Sequence, residues 1–179
     1  MREKYNKYKI FDTERLILKA TSENDSKFLF QLLNAENWIK YIGDKNINSI
    51  DDAKVYVNTK IVPQQKSHGY SVYTLIRKKD NLKIGTCGLY NRDGIDGFDL
   101  GFAILPKYEN MGYGFESAKK IINISFKEFS LDCLSAITTK DNMSSIKLIE
   151  KLGFKFIRNI KLPDNEKEFQ LFETKNPIY

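Results

Sequence analysis

Between Asp99 and Ala118 the chain reads Asp-Leu-Gly-Phe-Ala-Ile-Leu-Pro-Lys-Tyr-Glu-Asn-Met-Gly-Tyr-Gly-Phe-Glu-Ser-Ala. A strand-like run passes through Gly112 and Gly114 straight into a helical pattern. Glycine lets main chain approach a ligand closely. The first turn of the following helix offers unpaired N–H groups and the positive end of the helix dipole. Together they form an anion site of the kind a pyrophosphate takes. The same spacing also fits a plain tight turn, because Gly-x-Gly before a helix is a common pattern. A dinucleotide fingerprint is excluded by the missing third glycine and the lack of a following acidic residue. A P-loop is excluded because Gly-Lys-Ser/Thr is absent.

A second stretch, Thr138-Thr-Lys-Asp-Asn-Met-Ser-Ser-Ile-Lys-Leu-Ile-Glu-Lys-Leu-Gly-Phe154, ends a strand and starts another helix. Asp141 or Asn142 fits there first as a helix cap, and the same side chain remains able to touch a ligand. Other reactive residues are sparse. His68 is the sole histidine, in a loop-like stretch beside Gly69, and reads as surface. Cys87 and Cys133 lie far apart without CxxC or metal-type spacing, so both read as buried reduced thiols in strands.

The elements that must position these groups follow from the periodicity. Arg15 to Lys19 is a short strand after a ragged start. Asp25 to Leu33 places Phe28, Leu29, Leu32 and Leu33 at helical spacing. Ser49 with Asp52 marks another helix start, carrying Ala53, Val57 and Ile61 inward and stopping near Pro63. Gly69 to Arg77 and Lys83 to Tyr90 form a hairpin, Arg92 to Gly97 a turn, and Phe98 to Leu105 a third strand ended by Pro106. Tyr113 to Phe129 is the longest helix. Cys133 to Thr138, a helix over Ser144 to Leu152, and strands over Phe154 to Asn159 and Phe169 to Thr174 complete the order. This predicts a hairpin-rich sheet with helices on both faces.

With 179 residues, 41% apolar and 13% aromatic, the chain suits a single domain over residues 1–179, with 1–10 as the ragged N-terminus. No apolar run reaches the ~18 residues of a membrane span, and residues 1–9 do not resemble a signal peptide. A cytoplasmic protein is the expectation. The net charge of +6 suits an anionic ligand but is too diffuse to imply nucleic acid.

Both informative stretches resemble the signature regions of the GNAT acetyltransferase superfamily, and more closely its ribosomal-protein N-terminal acetyltransferase (RimJ/RimL-like) branch. Three further pieces agree in the same order: Thr13-Glu-Arg-Leu-Ile-Leu18, Ile84-Gly-Thr-Cys-Gly-Leu89, and Asn142-x-x-Ser145-x-x-Leu148-x-x-Lys151-x-Gly153-Phe154. The resemblance spans residues 11 to 158. It implies an α+β, three-layer α/β/α fold. Its largely antiparallel mixed sheet would hold about seven strands, splayed between two central parallel ones. It also implies an N-acetyltransferase that moves an acetyl group from acetyl-coenzyme A to a primary amine, on a protein N-terminus or a small molecule, by direct attack in a ternary complex. Neither a metal nor a nucleophile triad is called for. An acyl-coenzyme A sensor without catalysis is the alternative within the fold, and another phosphate-ligand module the alternative outside it. Monomer and homodimer are both compatible.

Carried over by position, the backbone near Ile104 would bond the pantetheine arm. The amides of Met111, Gly112, Tyr113, Gly114 and Phe115 would hold the pyrophosphate, and Asn142 would reach the same ligand. Asp99 matches an acidic position on the strand facing the acceptor and is the candidate base. Ser145 is the candidate proton donor to the departing thiolate, because the position where many relatives carry Tyr is here Ile149. Glu116 supports the helix start. Trp38 and Tyr41, in a loop over Asn37 to Asp44, and Tyr90 are candidates for the acceptor pocket, with core packing as the alternative. The chain departs from the pattern at Glu109, where Arg or Gln is usual, and at Asn110, where Gly is common. A carboxylate beside a pyrophosphate is unfavourable unless it points away; Lys107 and Lys119 are available to offset it.

Overall fold

A computed structural model describes residues 8–163 and 165–176. The strand β1 (Phe11–Asp12) leads into β2 (Leu16–Ala20), then α1 (Ser26–Leu33), α2 (Glu36–Tyr41), α3 (Ile50–Tyr56) and α4 (Val62–His68). Next come β3 (Val72–Arg77), β4 (Leu82–Tyr90), β5 (Asp99–Ile104), α5 (Tyr113–Lys127), β6 (Cys133–Thr138), α6 (Met143–Lys151), β7 (Lys155–Lys161) and β8 (Glu168–Lys175). Eight strands form one sheet in the order β1-β2-β3-β4-β5-β6-β8-β7. The two-residue β1, paired to β2 through Phe11 and Leu18, raises the expected seven to eight. It lies just after the ragged residues 1–10 and before the strand expected from Arg15, and two residues carry no periodicity to detect.

All strand pairs are antiparallel except β5 with β6. On one face, α5 buries Ala118, Ile121 and Ile124 against β2, β4 and β5, and Ile149 of α6 joins the same core. On the other face, α1 and α3 enclose Leu29, Leu32, Leu33, Ala53 and Val57 with Val72 of β3. A mixed sheet with helices on both faces is thus the fold, as expected.

Two helical expectations change. The second helix does not stop at Pro63. A π-helical turn over Val57–Ile61 joins α3 to α4, with Pro63 in the first turn of α4. Proline there needs no amide partner, and the wider turn makes room for its ring. His68 therefore ends a helix, exposed beside the Tyr70 and Phe98 rings, rather than lying in a loop. Similarly, the segment from Asn37 is a short helix rather than a loop, because burial of Trp38 anchors it. At the start of α3, Ser49 Oγ accepts from the Asp52 amide at 3.0 Å, as its spacing predicts. Cys87 is buried in β4, whereas Cys133 is exposed, contrary to expectation, because it begins β6 at the sheet's end. No helix among the described residues is long and apolar enough to cross a membrane.

Candidate active site

The parallel pair β5 and β6 meets only at one end. Ser135 N–H donates to Phe98 carbonyl at 3.0 Å and Asp99 stands opposite Ser135. Beyond that point pairing stops, and a cavity of about 760 Å3 opens between the strands. Its walls include Gly101 to Ile104 of β5, Ile137 and Thr138 of β6, and the starts of α5 and α6. The splay leaves polar main chain of β5 facing the cavity, so a ligand with amide groups can complete the ladder there.

At one mouth lies the loop before α5. Gly112 is its left-handed cap residue, with φ 82°. Asn110 is also left-handed, at φ 59°. Asn tolerates that region better than most residues, which accounts for its replacing the usual Gly. Among the described residues the amides of Met111, Gly112, Tyr113, Gly114 and Phe115 have no hydrogen-bond partner; the first amide engaged is that of Glu116, which donates to Gly112 carbonyl. These groups, with the dipole of a helix running to Lys127, are an available anion cradle. Gly112, Tyr113, Gly114 and Phe115 line the cavity, while the Met111 side chain is exposed outside it.

The loop is held from the turn between β1 and β2. Glu116 accepts from Thr13 Oγ1 at 2.5 Å, from the Arg15 amide at 2.8 Å and from Arg15 Nε at 2.7 Å. Arg15 also donates to Met111 carbonyl at 3.0 Å and lies 4.4 Å from the Tyr113 ring centroid. Burial alone would raise the Glu116 carboxyl; the bonds from Thr13 and Arg15 outweigh it and hold it below the usual range. Glu109 lines the cavity but is turned to α2, where both its oxygens accept from Asn37 Nδ2 at 2.9 and 3.0 Å. It does not close the cleft. Neither proposed offsetting lysine lies there: Lys107 sits over the Tyr108 ring and Lys119 is exposed elsewhere on α5. Lys147 and Lys151 of α6 line the cavity instead, Lys151 stacking 4.7 Å above Phe115.

Across the cavity, Asn142 Oδ1 accepts from the Ser145 amide at 3.2 Å and caps α6, leaving its Nδ2 for other contacts. Asn142 and Ser145 line the cavity, and Ile149, buried, closes the helix against the core.

The other end is aromatic and charged. Asp99, 1% exposed, is not the solvent-facing carboxylate its strand position allows. Both its oxygens accept from Arg92 Nε, at 2.8 and 2.9 Å. Burial pushes its carboxyl above the usual range, and Arg92 opposes that shift. The Arg92 guanidinium lies 4.6 Å over the Tyr90 ring. Tyr90 in turn lies across Gly101, where an added Cβ would sit 2.5 Å from Tyr90 Cε2. Only a residue without a side chain permits that ring position. Trp38, Tyr41, Lys45 and Tyr56 complete this wall. Trp38 is buried, and its Nε1–H has no acceptor among the described residues.

The structure therefore brings Trp38, Tyr41, Tyr90, Asp99, Ile104, Gly112 to Phe115, Asn142 and Ser145 to one cavity. Sequence reasoning missed Arg92, read only as part of a turn, and Lys45, Lys147 and Lys151. None stands in a motif; lysines at 147 and 151, one helical turn apart after a cap, were the available signal. No cluster of His, Cys, Asp and Glu that could hold a metal occurs among the described residues.

A sheet parted between two parallel central strands, with helices on both faces, defines an N-acyltransferase fold. The sequence profile of the acetyltransferase (GNAT) domain matches residues 15–155, and the chain belongs to that family. It is an acyltransferase. An uncharacterized N-acetyltransferase, YnaD of Bacillus subtilis (strain 168), is 26% identical over 143 residues, covering 80% of this chain and 81% of the relative. A GNAT-family acetyltransferase from Bacillus anthracis shares the fold with a TM-score of 0.76 at 21% identity, covering 93% of this chain and 98% of that one. The ribosomal L7/L12 α-N-protein acetyltransferase RimL, solved with coenzyme A, has a TM-score of 0.75 at 15% identity, with 93% and 98% coverage.

Proposed function

We propose that this chain transfers the acetyl group of acetyl-coenzyme A to a primary amine, carried by a protein N-terminus or a small molecule. The fold likeness to RimL supports placing it near that branch. The observation that carries the reading is the row of unengaged amides from Met111 to Phe115 at the mouth of the β5/β6 gap.

The residues present fit the co-substrate. The amides and the α5 dipole take the diphosphate, with Lys147 and Lys151 adding charge. Main chain near Ile104 pairs with the amides of the pantetheine arm, and Asn142 Nδ2 adds a donor. Acetyl-coenzyme A supplies an activated acyl carbon when bound. Asp99 takes a proton from the acceptor's ammonium, so that the neutral nitrogen bonds to the acyl carbon as the carbon–sulfur bond breaks. Ser145 Oγ donates a proton to the leaving sulfur and is reprotonated, through water, by the second proton that the nitrogen sheds as it becomes the amide. The enzyme's other contribution is holding both reactants in one cavity.

The departures at Glu109 and Asn110 do not favour a sensor, since Asn37 holds the first and the left-handed backbone suits the second. Initial-rate kinetics of thiol release against a panel of amines tests the reading. The expected result is turnover with intersecting double-reciprocal lines, as a ternary complex requires. Binding of acetyl-coenzyme A without release on any amine would refute it.

A further inference from the structure

We infer that the acceptor is a free amino acid, with a carboxylate beside its reacting amine and an apolar or aromatic side chain, and that Arg92 is the residue that recognises the carboxylate. The inference rests on the transferase reading above and goes further by naming the acceptor class.

Arg92 is fixed before any ligand arrives. Its Nε is spent on both oxygens of Asp99 and its plane lies on Tyr90. Its terminal nitrogens have no partner among the described residues, and its side chain keeps 33% exposure at the cavity wall. A guanidinium anchored in this way presents its remaining N–H groups as a fork, a geometry suited to a carboxylate.

The charge balance at this end points the same way. Lys45 lines the same cavity and forms no ion pair among the described residues. Desolvation, and then the positive charges of Arg92, Lys60 and Lys167, hold its ammonium below the usual lysine range, so an added anion would relieve it. The acidic groups of the lining are already engaged: Asp99 by Arg92, and Glu109 by Asn37. A polyamine or aminoglycoside could set one ammonium on Asp99, but its further cations would face Arg92 and Lys45 with no second carboxylate free beside them. A zwitterion, by contrast, is matched group for group, its ammonium by Asp99 and its neighbouring carboxylate by Arg92. Trp38, Tyr41, Tyr56 and Phe169 offer an apolar and aromatic wall for the side chain.

The test measures thiol release from acetyl-coenzyme A with L-phenylalanine, L-tryptophan and L-leucine. Their carboxamides, phenethylamine, spermidine and a short peptide with the same N-terminal residue are run alongside. In parallel, calorimetry compares binding of N-acetyl-phenylalanine with that of its carboxamide to the coenzyme A-bound protein. The free acids are expected to exceed the amides and amines in kcat/KM by about tenfold or more, and the acetylated acid to bind tighter than its amide. Arg92→Lys keeps a counter-charge for Asp99 but removes the fork, so it should erase the preference for acids while acetyl-coenzyme A affinity holds. Lys45→Gln, on an exposed side chain, should narrow the preference several-fold without loss of folding. Amide, peptide or spermidine turning over as well as the acid would overturn the inference and leave the transferase standing. No release with any amine would sink the transferase reading, and equal binding of acid and amide would then still refute the role of Arg92.

Discussion

Asp99 and Arg92 combine two demands in one buried pair. A carboxylate 1% exposed needs a partner to stay ionised, yet as a base it must remain reachable from the cavity. Using Arg92 Nε alone leaves Asp99 lining the cavity. Asp99→Asn is expected to lower kcat/KM by about 10²- to 10⁴-fold. The deficit should be greatest below pH 8, where an α-amine, with a pKa of about 8, is mostly protonated and depends on the base. Equal losses across the pH range in steady-state rates would remove Asp99 from that role. Glu116 gives a second test, in stability. Its folded-state carboxyl is held below its ordinary value of 4.5, so it contributes stability above that value and loses it as pH falls through the folded value. Glu116→Gln should therefore lower the melting midpoint at neutral pH. The gap to wild type should shrink in scans run under progressively more acidic conditions.

The short elements beside the cavity act as supports. The turn between β1 and β2 reaches across to the α5 loop through Thr13 and Arg15, so one tight turn fixes a ligand loop. Gly112→Asp adds bulk 3.2 Å from Arg15 Nη2 in a left-handed residue and puts charge where phosphate would lie. Calorimetry should show acetyl-coenzyme A affinity falling by well over tenfold, since like-charge repulsion adds to backbone strain. On β5, Gly101→Ala would drive Tyr90 off the strand. Overpacking of this kind costs about 1–3 kcal/mol. Losing the ring under Arg92 should also raise the acceptor KM, leaving the acetyl-coenzyme A dissociation constant unchanged. A rise in both constants would mean that the β5/β6 gap itself had shifted.

At the scale of the whole molecule, the sheet is built to be incomplete. Strands β1 to β5 pair on one side and β6, β8 and β7 on the other, joined by a single parallel contact at Asp99 and Ser135. A ligand lodged in that gap bridges the two halves. It should therefore stabilise the native state by about 2.7 kcal/mol at one hundred times its dissociation constant. For a chain of 179 residues that corresponds to a rise of roughly 5–10 °C in the melting midpoint. Acetyl-coenzyme A should produce this rise in a thermal scan and ATP should not, because only the former has an arm to fill the gap. A matching shift with ATP would return the cradle to a general phosphate site.

Local chemistry is what the sequence determined without help. Gly112 and Gly114 before a long amphipathic helix, the Asn142 cap, and the hairpin from Val72 to Tyr90 are legible because each depends on residues adjacent in the chain. So is the mixed sheet, once periodicity and motif order are combined with the family resemblance. Arg15 on Glu116, Asn37 on Glu109, Arg92 on Asp99 in the same cavity as Lys45, and the ring of Tyr90 over Gly101 were decided only by the tertiary structure. Most of these link separate elements, and even Arg92, seven residues from Asp99, finds its direction only when β4 and β5 pair. A side chain's charge is written in the sequence, but its available donors depend on which partners folding has already assigned to it.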